Sequence, residues 1–463
     1  MAQQQFVGQT LGRSSNVGSL HFVNLFPHIT QDQRVVVFGT PGLSSYKTVG
    51  SGPIRGMYAV GTTLYVISRN NLYSIDVAGT VALLGTISTF VGAVSVANNP
   101  TQLMIVDGAF GYILTFATGV LAAIASANFP NGATTVTFID GYFVVNVPNS
   151  GKEQHSALYD GTSWNALDFN TAEFSSDNLV AVRSAFSHLY LFGTLTTEIW
   201  YNAGDPDTVF KRAQVIETGC MAPFSIAKVG ESASELLWLA SSFQGAGFVV
   251  RSNGGVQVQR VSTPEVEYLW SQYSTIADAR AYGYTQEGHI FYVINFPAAG
   301  KTWVYDLNVG TWHQRSSNGG QHLGLTYAFA NNQHLVGSYI GGDIYSIGMD
   351  VYTDAGNPII RELTTPTLGS DEGLISYQSM QIDMERGVGL PSGQGSDPQV
   401  MLSWSNDGGH AYVPEVMGGI GKQGDYSLRV IFRRLGRAFR RTWKIRVSDP
   451  IKIVIISATL KTE

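Results

Sequence analysis

The sequence predicts an all-β fold, a β-propeller of about seven blades (the spacing allows six to eight) with an appended small β-sandwich-like domain. Short apolar runs alternate with turn residues along most of the chain. Glycine supplies many of those turns, with 52 of 463 residues, roughly 11% against a usual ~7%. An α/β fold would need amphipathic helices of about 10–15 residues, and candidates such as residues 264–273 make one or two turns at most. The charged fraction of 13% argues against a disordered chain.

Apolar hairpins recur along residues 55–366, which we assign to the propeller. A dipeptide turn joins the two strands of several hairpins, as at Asn70-Asn71, Asp107-Gly108 and Asp140-Gly141. The hairpin units follow one another at roughly 35 to 55 residues, the period of four-stranded propeller blades. The units start near Leu64, Leu103, Val136, Leu189, Leu236, Ile290 and His334.

Two segments, residues 159–164 and 305–312, repeat a strand, an aspartate turn and a strand that begins with tryptophan. The Asp160 and Asp306 carboxylates are expected to accept from backbone amides two residues further on, which fixes each turn. The tryptophan that ends each segment is then expected to cap a blade interface.

The two ends of the chain have other assignments. Residues 1–54 are expected to pack on the propeller or close it, with a strand such as 34–38 pairing in the final blade. Residues 367–463 contain apolar residues at period two on both sides of a Gly-, Ser- and Pro-rich loop at 387–398. They are expected to form the β-sandwich-like domain.

One uncharged stretch, between Asp107 and Asp140, is a candidate for a membrane span. Its most apolar part, residues 113–129, is at the short limit for a spanning helix and contains polar residues. A turn signal follows at 130–132. We therefore expect two or three strands and no membrane span, and the first residues lack the pattern of a secretory signal.

The residues that carry chemistry in enzymes are scattered in this sequence. Metal-ligand spacing, a phosphate-binding loop and a nucleophile elbow are all missing, so we predict no catalytic, cofactor-binding or metal-binding residues, no cofactor and no enzyme activity. The single cysteine, Cys220, is expected to be a buried structural thiol. Residues 405–412 match the Asp-box hairpin of sialidase propellers, in which Asp407 forms a turn rather than acting as a catalyst or Ca²⁺ ligand.

Basic residues are concentrated near the end of the sequence. Residues 429–463 contain ten Lys or Arg and two acids, a net charge of +8, which leaves −14 on the other 428 residues. An acidic body with a basic end predicts an anionic partner or charge matching between subunits. The candidate DNA-facing or inter-subunit basic surface comprises Arg429, Arg433, Arg434, Arg437, Arg440, Arg441, Lys444 and Arg446.

Two interpretations of this basic surface remain open. It is either a solvated strand face that pairs with acids of a neighbour, or a set of arginines that contact nucleic-acid phosphates without reading sequence. A stacking platform for single strands is not favoured, because the aromatic residues among the arginines belong to the core-facing side.

Several blocks together resemble the phage stabilisation protein family, the tail-hub or nozzle proteins of short-tailed phages. The most specific block reads GHIFYVINFP, KTWVYD and GTWHQR between residues 288 and 315. Similar blocks lie at 23–27, 40–43, 198–204, 261–267, 434–437 and 447–450. The resemblance extends over nearly the whole chain.

The resemblance implies a noncatalytic component of the virion tail, assembled in the host bacterial cytoplasm. Family members form a ring, a homo-hexamer, below the portal and adaptor ring proteins. They extend the DNA channel, retain packaged DNA and dock tailspikes or fibres and a tail needle or plug, with non-specific contact to viral double-stranded DNA. The alternative is a carbohydrate-active or carbohydrate-binding β-propeller, such as a sialidase-like enzyme or a lectin.

Overall fold

The computed structural model describes residues 2–4, 20–205, 208–369 and 372–463, in which β-strands predominate. Five strands precede the first blade: β1 (Ala2–Gln4), β2 (His21–Val23), β3 (Leu25–Ile29), β4 (Val35–Gly39) and β5 (Gly42–Thr48). These strands do not form a unit of their own. Instead they complete sheets whose other strands come from later in the chain.

Blades 1 to 4 are meanders in which each strand pairs antiparallel with the next in the sequence. Short hairpin turns permit this arrangement because antiparallel neighbours need only a few connecting residues. Blade 1 comprises β6 (Ile54–Val60), β7 (Thr63–Ser68), β8 (Asn71–Ile75) and β9 (Val81–Thr86). Blade 2 comprises β10 (Ser95–Asn98), β11 (Gln102–Val106), β12 (Gly111–Thr115) and β13 (Val120–Ala123). Blade 3 comprises β14 (Val136–Ile139), β15 (Tyr142–Asn146), β16 (Lys152–Ala157) and β17 (Asp160–Thr171), and blade 4 comprises β18 (Leu179–Ala185), β19 (His188–Gly193), β20 (Thr197–Asn202) and β21 (Phe210–Ile216).

Blade 5 begins with two short strands that share one partner and continues as a meander. It comprises β22 (Gly219–Cys220), β23 (Ala227–Val229), β24 (Glu235–Ser242), β25 (Gly245–Ser252) and β26 (Gln259–Arg260). Short 3-10 helices span Pro223–Ser225 and Glu231–Ala233. The helix α1 (Pro264–Trp270) follows blade 5, capped by the Thr263 side chain, and has the one or two turns that the sequence predicts. Blade 6 comprises β27 (Arg280–Gln286), β28 (His289–Phe296), β29 (Lys301–Asp306) and β30 (Thr311–Arg315).

Blade 7 is completed by a strand from the other end of the chain. Its own strands are β31 (Gly324–Ala330), β32 (Gln333–Ser338) and β33 (Asp343–Gly348), and β5 pairs antiparallel with β33. A small hairpin of β34 (Thr353–Asp354) and β35 (Asn357–Pro358) adds to the outer edge of β5. The N-terminal segment thus closes the final blade through β5. The strand expected to pair there, residues 34–38, was wrong, because β4 pairs with the sandwich.

The described residues therefore form seven blades, and each of the seven units read from the sequence falls in a different blade. Neighbouring blades pack against each other through apolar clusters, each formed by side chains of two adjacent sheets. One cluster joins Ile54 and Leu64 of blade 1 to Ala328 and Leu335 of blade 7, so it seals the ring where its ends meet.

The remaining strands are β36 (Arg361–Thr364), β37 (Leu368–Gly369), β38 (Ile375–Met384), β39 (Gln399–Ser405), β40 (Val416–Gly419), β41 (Val430–Arg433), β42 (Arg437–Ala438), β43 (Arg440–Val447) and β44 (Val454–Thr462). They form a β-sandwich, as predicted. One sheet has the order β3-β4-β44-β38-β41, with β1 on β44 and β42 on β38. The other has the order β2-β36-β43-β39-β40, with β37 on β43. The strand β36 lies in the segment assigned above to the propeller, yet it pairs within the sandwich.

The two sheets enclose one apolar core that includes Phe22, Val37, Met380, Leu402 and Trp443. The second sheet also touches blade 6, because β2 forms a parallel bridge from Val23 to Gln314. The uncharged stretch between Asp107 and Asp140 contributes β12, β13 and β14, as the sequence predicts. Among the described residues, no helix is both long enough and apolar enough to span a membrane.

Candidate functional site

The predicted basic surface does not stay together in the structure. Its exposed members are Arg429, Arg433, Arg434 and Arg437, which lie on or beside β41 and β42. These two short strands pair with β38 at the edge of the first sandwich sheet, opposite Ser379 and Ser376. Since their partners on β38 are short and polar, the long basic side chains extend from this edge into solvent. We call these four residues the arginine edge.

The turn between β41 and β42 shapes the arginine edge. Arg434 has a φ of 58° and Gly436 a φ of 78°, so the chain reverses through left-handed backbone conformations. Two amides of the turn bond back to β38, from Arg434 N to Gln378 O and from Leu435 N to Tyr377 O. These bonds fix the backbone of the turn. Arg429 donates to the Gln381 side chain at 2.7 Å.

Arg441 is buried and does not belong to a basic surface, which corrects its assignment from the sequence. Only 2% of it is exposed. Its guanidinium lies over the rings of Tyr377, Trp404 and Trp443 at 4.5 to 5.1 Å and donates to the Asn406 side chain at 2.8 Å. Burial lowers its pKa from the usual value. Arg441 is thus a packing residue of the sandwich core.

Lys444 and Arg446 are neutralised by acids on neighbouring strands. Glu362 of β36 accepts from Lys444 at 3.2 Å and from Arg446 at 3.1 Å, and Glu415 pairs with Arg446 at 2.8 Å. Arg440 lies half-buried on β43, opposite Gly369. Lys444 and Arg446 support the interpretation that part of the basic run is a paired strand face, whereas the arginine edge keeps its charge exposed.

The polar junction that joins the propeller to the sandwich was not predicted from the sequence. Asn24, buried between β2 and β3 with a φ of 54°, donates through Nδ2 to Ser316 O and Ile360 O, both at 2.8 Å. Its Oδ1 accepts from Ser316 N at 2.8 Å, and its own amide donates to Gln314 O. A lone Asn in an apolar run was the available signal, because Asn adopts left-handed backbone more readily than most residues.

Ionisable groups are buried around this junction. Arg361 of β36 is 1% exposed, and a Cβ on Gly39 would come within 2.7 Å of its Nε, so Gly39 leaves the space that this arginine occupies. Asp354 accepts from Ser317 at 2.7 Å. Burial raises the pKa of Asp354 to about 6, although Ser317, Arg315 and Arg361 oppose the rise. Burial also lowers the pKa of Arg361 to about 10.

Histidines extend the polar junction into blade 6. His28 of β3 is hydrogen-bonded to His289 at 2.8 Å, and His289 to Asp306 at 2.6 Å, so this chain of side chains crosses from sandwich to propeller. Burial lowers the pKa of His21 to about 4 and that of His322 to about 3. His21 and His322 are therefore neutral at physiological pH.

Other residues singled out in the sequence have structural roles. Cys220 is fully buried, and burial raises the pKa of its thiol to about 12, which confirms a structural thiol. The Asp407 carboxylate accepts from Ala411 N at 2.9 Å, which confirms a turn former. Asp160 and Asp306 accept from Thr162 N and Asn308 N at 2.9 and 3.0 Å, again as predicted. Within the described ranges, His, Cys, Asp and Glu form no group of three placed to hold a metal ion.

Two protein-family models match most of the chain. A family model described as bacteriophage P22 Gp10, β-propeller matches residues 20–352, and one described as bacteriophage P22 Gp10, β-sandwich matches residues 360–463. The chain belongs to the bacteriophage P22 Gp10 family. It is accordingly a phage stabilisation protein and a component of the virion, in a family that is generally non-enzymatic. The two family matches coincide with the two architectures of the structure, and the resemblance read from the sequence is confirmed.

Other comparisons add little to the Gp10-family assignment. No curated protein matches the chain. Among solved structures, a chain of the mitotic checkpoint complex is similar at 10% identity with a TM-score of 0.44, covering 67% of this chain and 93% of that one. The Pan2 WD40 domain of Neurospora crassa is similar at 10% identity with a TM-score of 0.41, covering 67% of this chain and 95% of that one.

Proposed function

We propose that this Gp10-family protein is the tail hub, or nozzle, of a short-tailed phage. In this proposal it forms a homo-hexameric ring below the portal–adaptor complex, extends the DNA channel and retains the packaged genome. The ring also docks tailspikes or fibres and a needle or plug. The observation that carries the proposal is the family match to both the propeller and the sandwich.

The arginine edge is the part of the chain that we assign to an anionic partner. Its four guanidinium groups project from one sheet edge, whereas the neighbouring Lys444 and Arg446 are already paired with acids. A row of exposed arginines can contact phosphates of double-stranded DNA without reading the sequence. The same edge can instead meet acids of the next copy in a ring, since the rest of the chain is strongly acidic. In both cases the arginine edge lies on a surface of the ring that contacts either the DNA or the neighbouring copy.

The carbohydrate-binding alternative receives no support from the residue that suggested it. Asp407 lies in a hairpin of the sandwich, where its carboxylate accepts hydrogen bonds from the Ser405 hydroxyl and from Ala411 N. A glycosidase needs two carboxyl groups about 5 to 10 Å apart across a sugar site, and Asp407 is committed to a turn.

Mass photometry and negative-stain imaging of the purified protein, alone and with a portal–adaptor complex, test the proposal. We expect closed rings of six copies that bind the portal–adaptor complex. A protein that stays monomeric at all concentrations, ignores the portal–adaptor complex and binds glycans would contradict the tail-hub role and favour the carbohydrate-binding alternative.

A further inference from the structure

The loop between blades 1 and 2, residues 87–94, exposes apolar side chains to solvent. Phe90 is 52% exposed and Val91 is 80% exposed. Phe110, in the turn between β11 and β12, is 46% exposed. Since successive strands of a meander are antiparallel, this loop and this turn lie at the same face of the propeller. We call Phe90, Val91 and Phe110 the apolar knob.

A buried arginine fixes the backbone of the loop that carries the knob. Arg55, only 3% exposed, donates to three carbonyl groups of the loop at 2.6 to 2.8 Å, those of Thr89, Val91 and Gly92. It also donates to Arg69 O at 2.7 Å, so it joins the loop to the neighbouring turn between β7 and β8. Hydrogen bonds from a charged donor are stronger than those between neutral groups, so this backbone is firmly held.

A buried aspartate links the two parts of the knob. Asp107 accepts through Oδ2 from Thr89 N and Oγ1, at 3.3 and 2.9 Å. Its Oδ1 accepts from Ala109 N and Phe110 N, at 3.0 and 2.7 Å. Buried polar groups thus order a segment whose apolar side chains remain in solvent. Order that exists before association removes part of the entropy cost of binding, so the knob is suited to contact a partner.

The surroundings of the knob carry almost no charge. Residues 77–139 contain a single charged residue, the buried Asp107. Unpaired outer strands usually carry charged residues that discourage association, yet β9 and β13 have none. Arg69 is exposed, its Cζ lies 5.4 Å from the centre of the Phe90 ring, and it forms no ion pair in the part of the chain that the structure describes. A surface that is apolar and carries one acid would therefore complement the knob.

Such a surface lies between blades 4 and 5. A cleft of about 520 Å³ has apolar walls from Phe248, Val250 and Val258. It is also lined by Glu217, in the connection between these blades, and by the turn between β24 and β25. These segments are the counterparts of those that carry the knob, so the cleft lies at the same face of the propeller. The two sites are three blades apart in a ring of seven, which places them on nearly opposite sides.

The charge of the cleft is complementary to that of the knob. Glu217 is exposed and forms no ion pair among the described residues. Arg260 also lines the cleft, but it is already paired with Glu267, and its Cζ lies 4.7 Å from the centre of the Phe248 ring. One carboxylate is therefore left for a cation of a partner, and Arg69 is the cation beside the knob.

We propose that copies of this chain associate head to tail, with the apolar knob of one copy in the blade 4–5 cleft of the next. Arg69 then faces the partner subunit's Glu217. Burial of an aromatic side chain removes about 150 to 250 Å² from water and is the kind of contact that dominates an interface. A contact between different surfaces on opposite sides repeats from copy to copy and closes into a ring when the rotation permits. This contact rests on the tail-hub proposal for the ring that it builds, and it is separate from the arginine edge.

Sedimentation velocity of the full chain over a range of concentrations tests the contact. Phe90→Ser removes the aromatic ring of the knob. Phe174→Ser is the control, because Phe174 is 50% exposed in the equivalent connection between blades 3 and 4. We expect Phe90→Ser to weaken self-association about tenfold or more and Phe174→Ser to leave it unchanged.

Charge reversal tests the pairing of Arg69 with the partner's Glu217. Arg69→Glu and Glu217→Arg are each expected to weaken self-association, because each places like charges opposite one another. The combined variant restores opposite charges and is expected to recover the association of the unmodified chain. Both side chains are exposed, so these variants decide the question even if Phe90→Ser fails to fold.

Three results would each overturn this contact: equal association of Phe90→Ser and the unmodified chain, no recovery in the combined variant, or an unmodified chain that stays monomeric at every concentration. Binding to the portal–adaptor complex is measured separately. A chain that binds that complex without the knob-to-cleft contact keeps the tail-hub role and loses this contact. A chain that associates head to tail but ignores the complex keeps this contact and loses the tail-hub role.

Discussion

Blades 1 to 4 and the sandwich are built from strands of the same kind but assembled in different ways. Each of those blades takes four strands in a row from one stretch of chain, joined by short turns. The sandwich combines β1 to β4, from the first 39 residues, with β36 to β44, from residue 361 onward. The blades therefore depend on local hairpins, whereas the sandwich and the closure of blade 7 depend on contacts between distant parts of the chain.

The two regions also differ in what they bury at their boundaries. Between most blades the contacts are apolar, as in the cluster around Met104, Phe143 and Trp164. Around the contact between the propeller and the sandwich, Asn24, Asp354, Arg361 and His289 are buried instead. Apolar packing tolerates small shifts, whereas a buried polar group needs its partner in place. The junction therefore fixes the sandwich on the propeller more specifically than apolar contact alone would.

The largest expected effect comes from the strand that closes the ring. In Gly42→Ala the new Cβ would come within 2.4 Å of Val351 O and 2.5 Å of Thr353 O, which are backbone atoms that cannot move aside cheaply. We expect a loss of about 5 kcal/mol of unfolding free energy, with faster hydrogen exchange in β5 and β33. Gly245→Ala is the control, because a Cβ there meets no atom within 4 Å. Equal stability of the two variants would show that β5 does not hold blade 7 closed.

Acid is expected to destabilise the fold through His322, which is buried in the propeller and hydrogen-bonded to Thr302 and Gly324. His322 has a folded-state pKa of about 3, below its ordinary 6.5, so the folded state binds fewer protons than the unfolded state. The stability from neutral His322 is fully present above pH 6.5 and is lost as pH falls, by roughly 4 kcal/mol near pH 3. Asp354, with its pKa raised to about 6 from 3.8, acts in the opposite direction between those values.

Chemical denaturation of the unmodified chain and of His322→Gln between pH 7 and pH 4 measures the histidine contribution. We expect stability to fall less steeply with acid in the variant. Parallel pH profiles for the two proteins would contradict the assignment of acid sensitivity to this histidine.

Replacing Asn24 tests the hydrogen bonds that join the two regions. Asn24→Ala leaves Ser316 N and Ile360 O without their partner and places alanine at a φ of 54°. We expect a loss of about 2 to 3 kcal/mol. Asn24→Gly keeps the backbone conformation and loses the same hydrogen bonds, so the difference between the variants in thermal unfolding isolates backbone strain. If both variants match the unmodified chain, the junction does not depend on Asn24.

The arginine edge should matter least for stability and most for assembly. Arg433→Glu combined with Arg437→Glu changes exposed residues, so the unfolding free energy should stay within about 0.5 kcal/mol. We expect impaired ring assembly or loss of packaged DNA on heating. Arg34→Glu combined with Lys422→Glu is the control, since it makes the same change in charge at other exposed sites. Normal particles of the first variant that keep full genomes under heat would contradict a role of the arginine edge in ring assembly or DNA retention.

The local parts of the fold were predictable because their signals are short-range. Hairpins such as β7–β8, the turns at Asp160 and Asp306 and the buried Cys220 each follow from a few neighbouring residues. Residues 34–38 were assigned to the wrong sheet, because an apolar alternating strand fits any half-buried sheet edge equally well. Arg441 was misplaced for a related reason, since its position among three aromatic rings depends on strands that are distant in sequence.

A cryo-electron microscopy map of the assembled tail tests the central claim, the tail-hub role, most directly. The account predicts a closed ring of six copies directly below the portal–adaptor complex, continuous with the DNA channel. It also predicts that the arginine edge faces either the DNA or the next copy in the ring. A map in which this chain forms no ring, or lies away from the DNA channel, would contradict the tail-hub role.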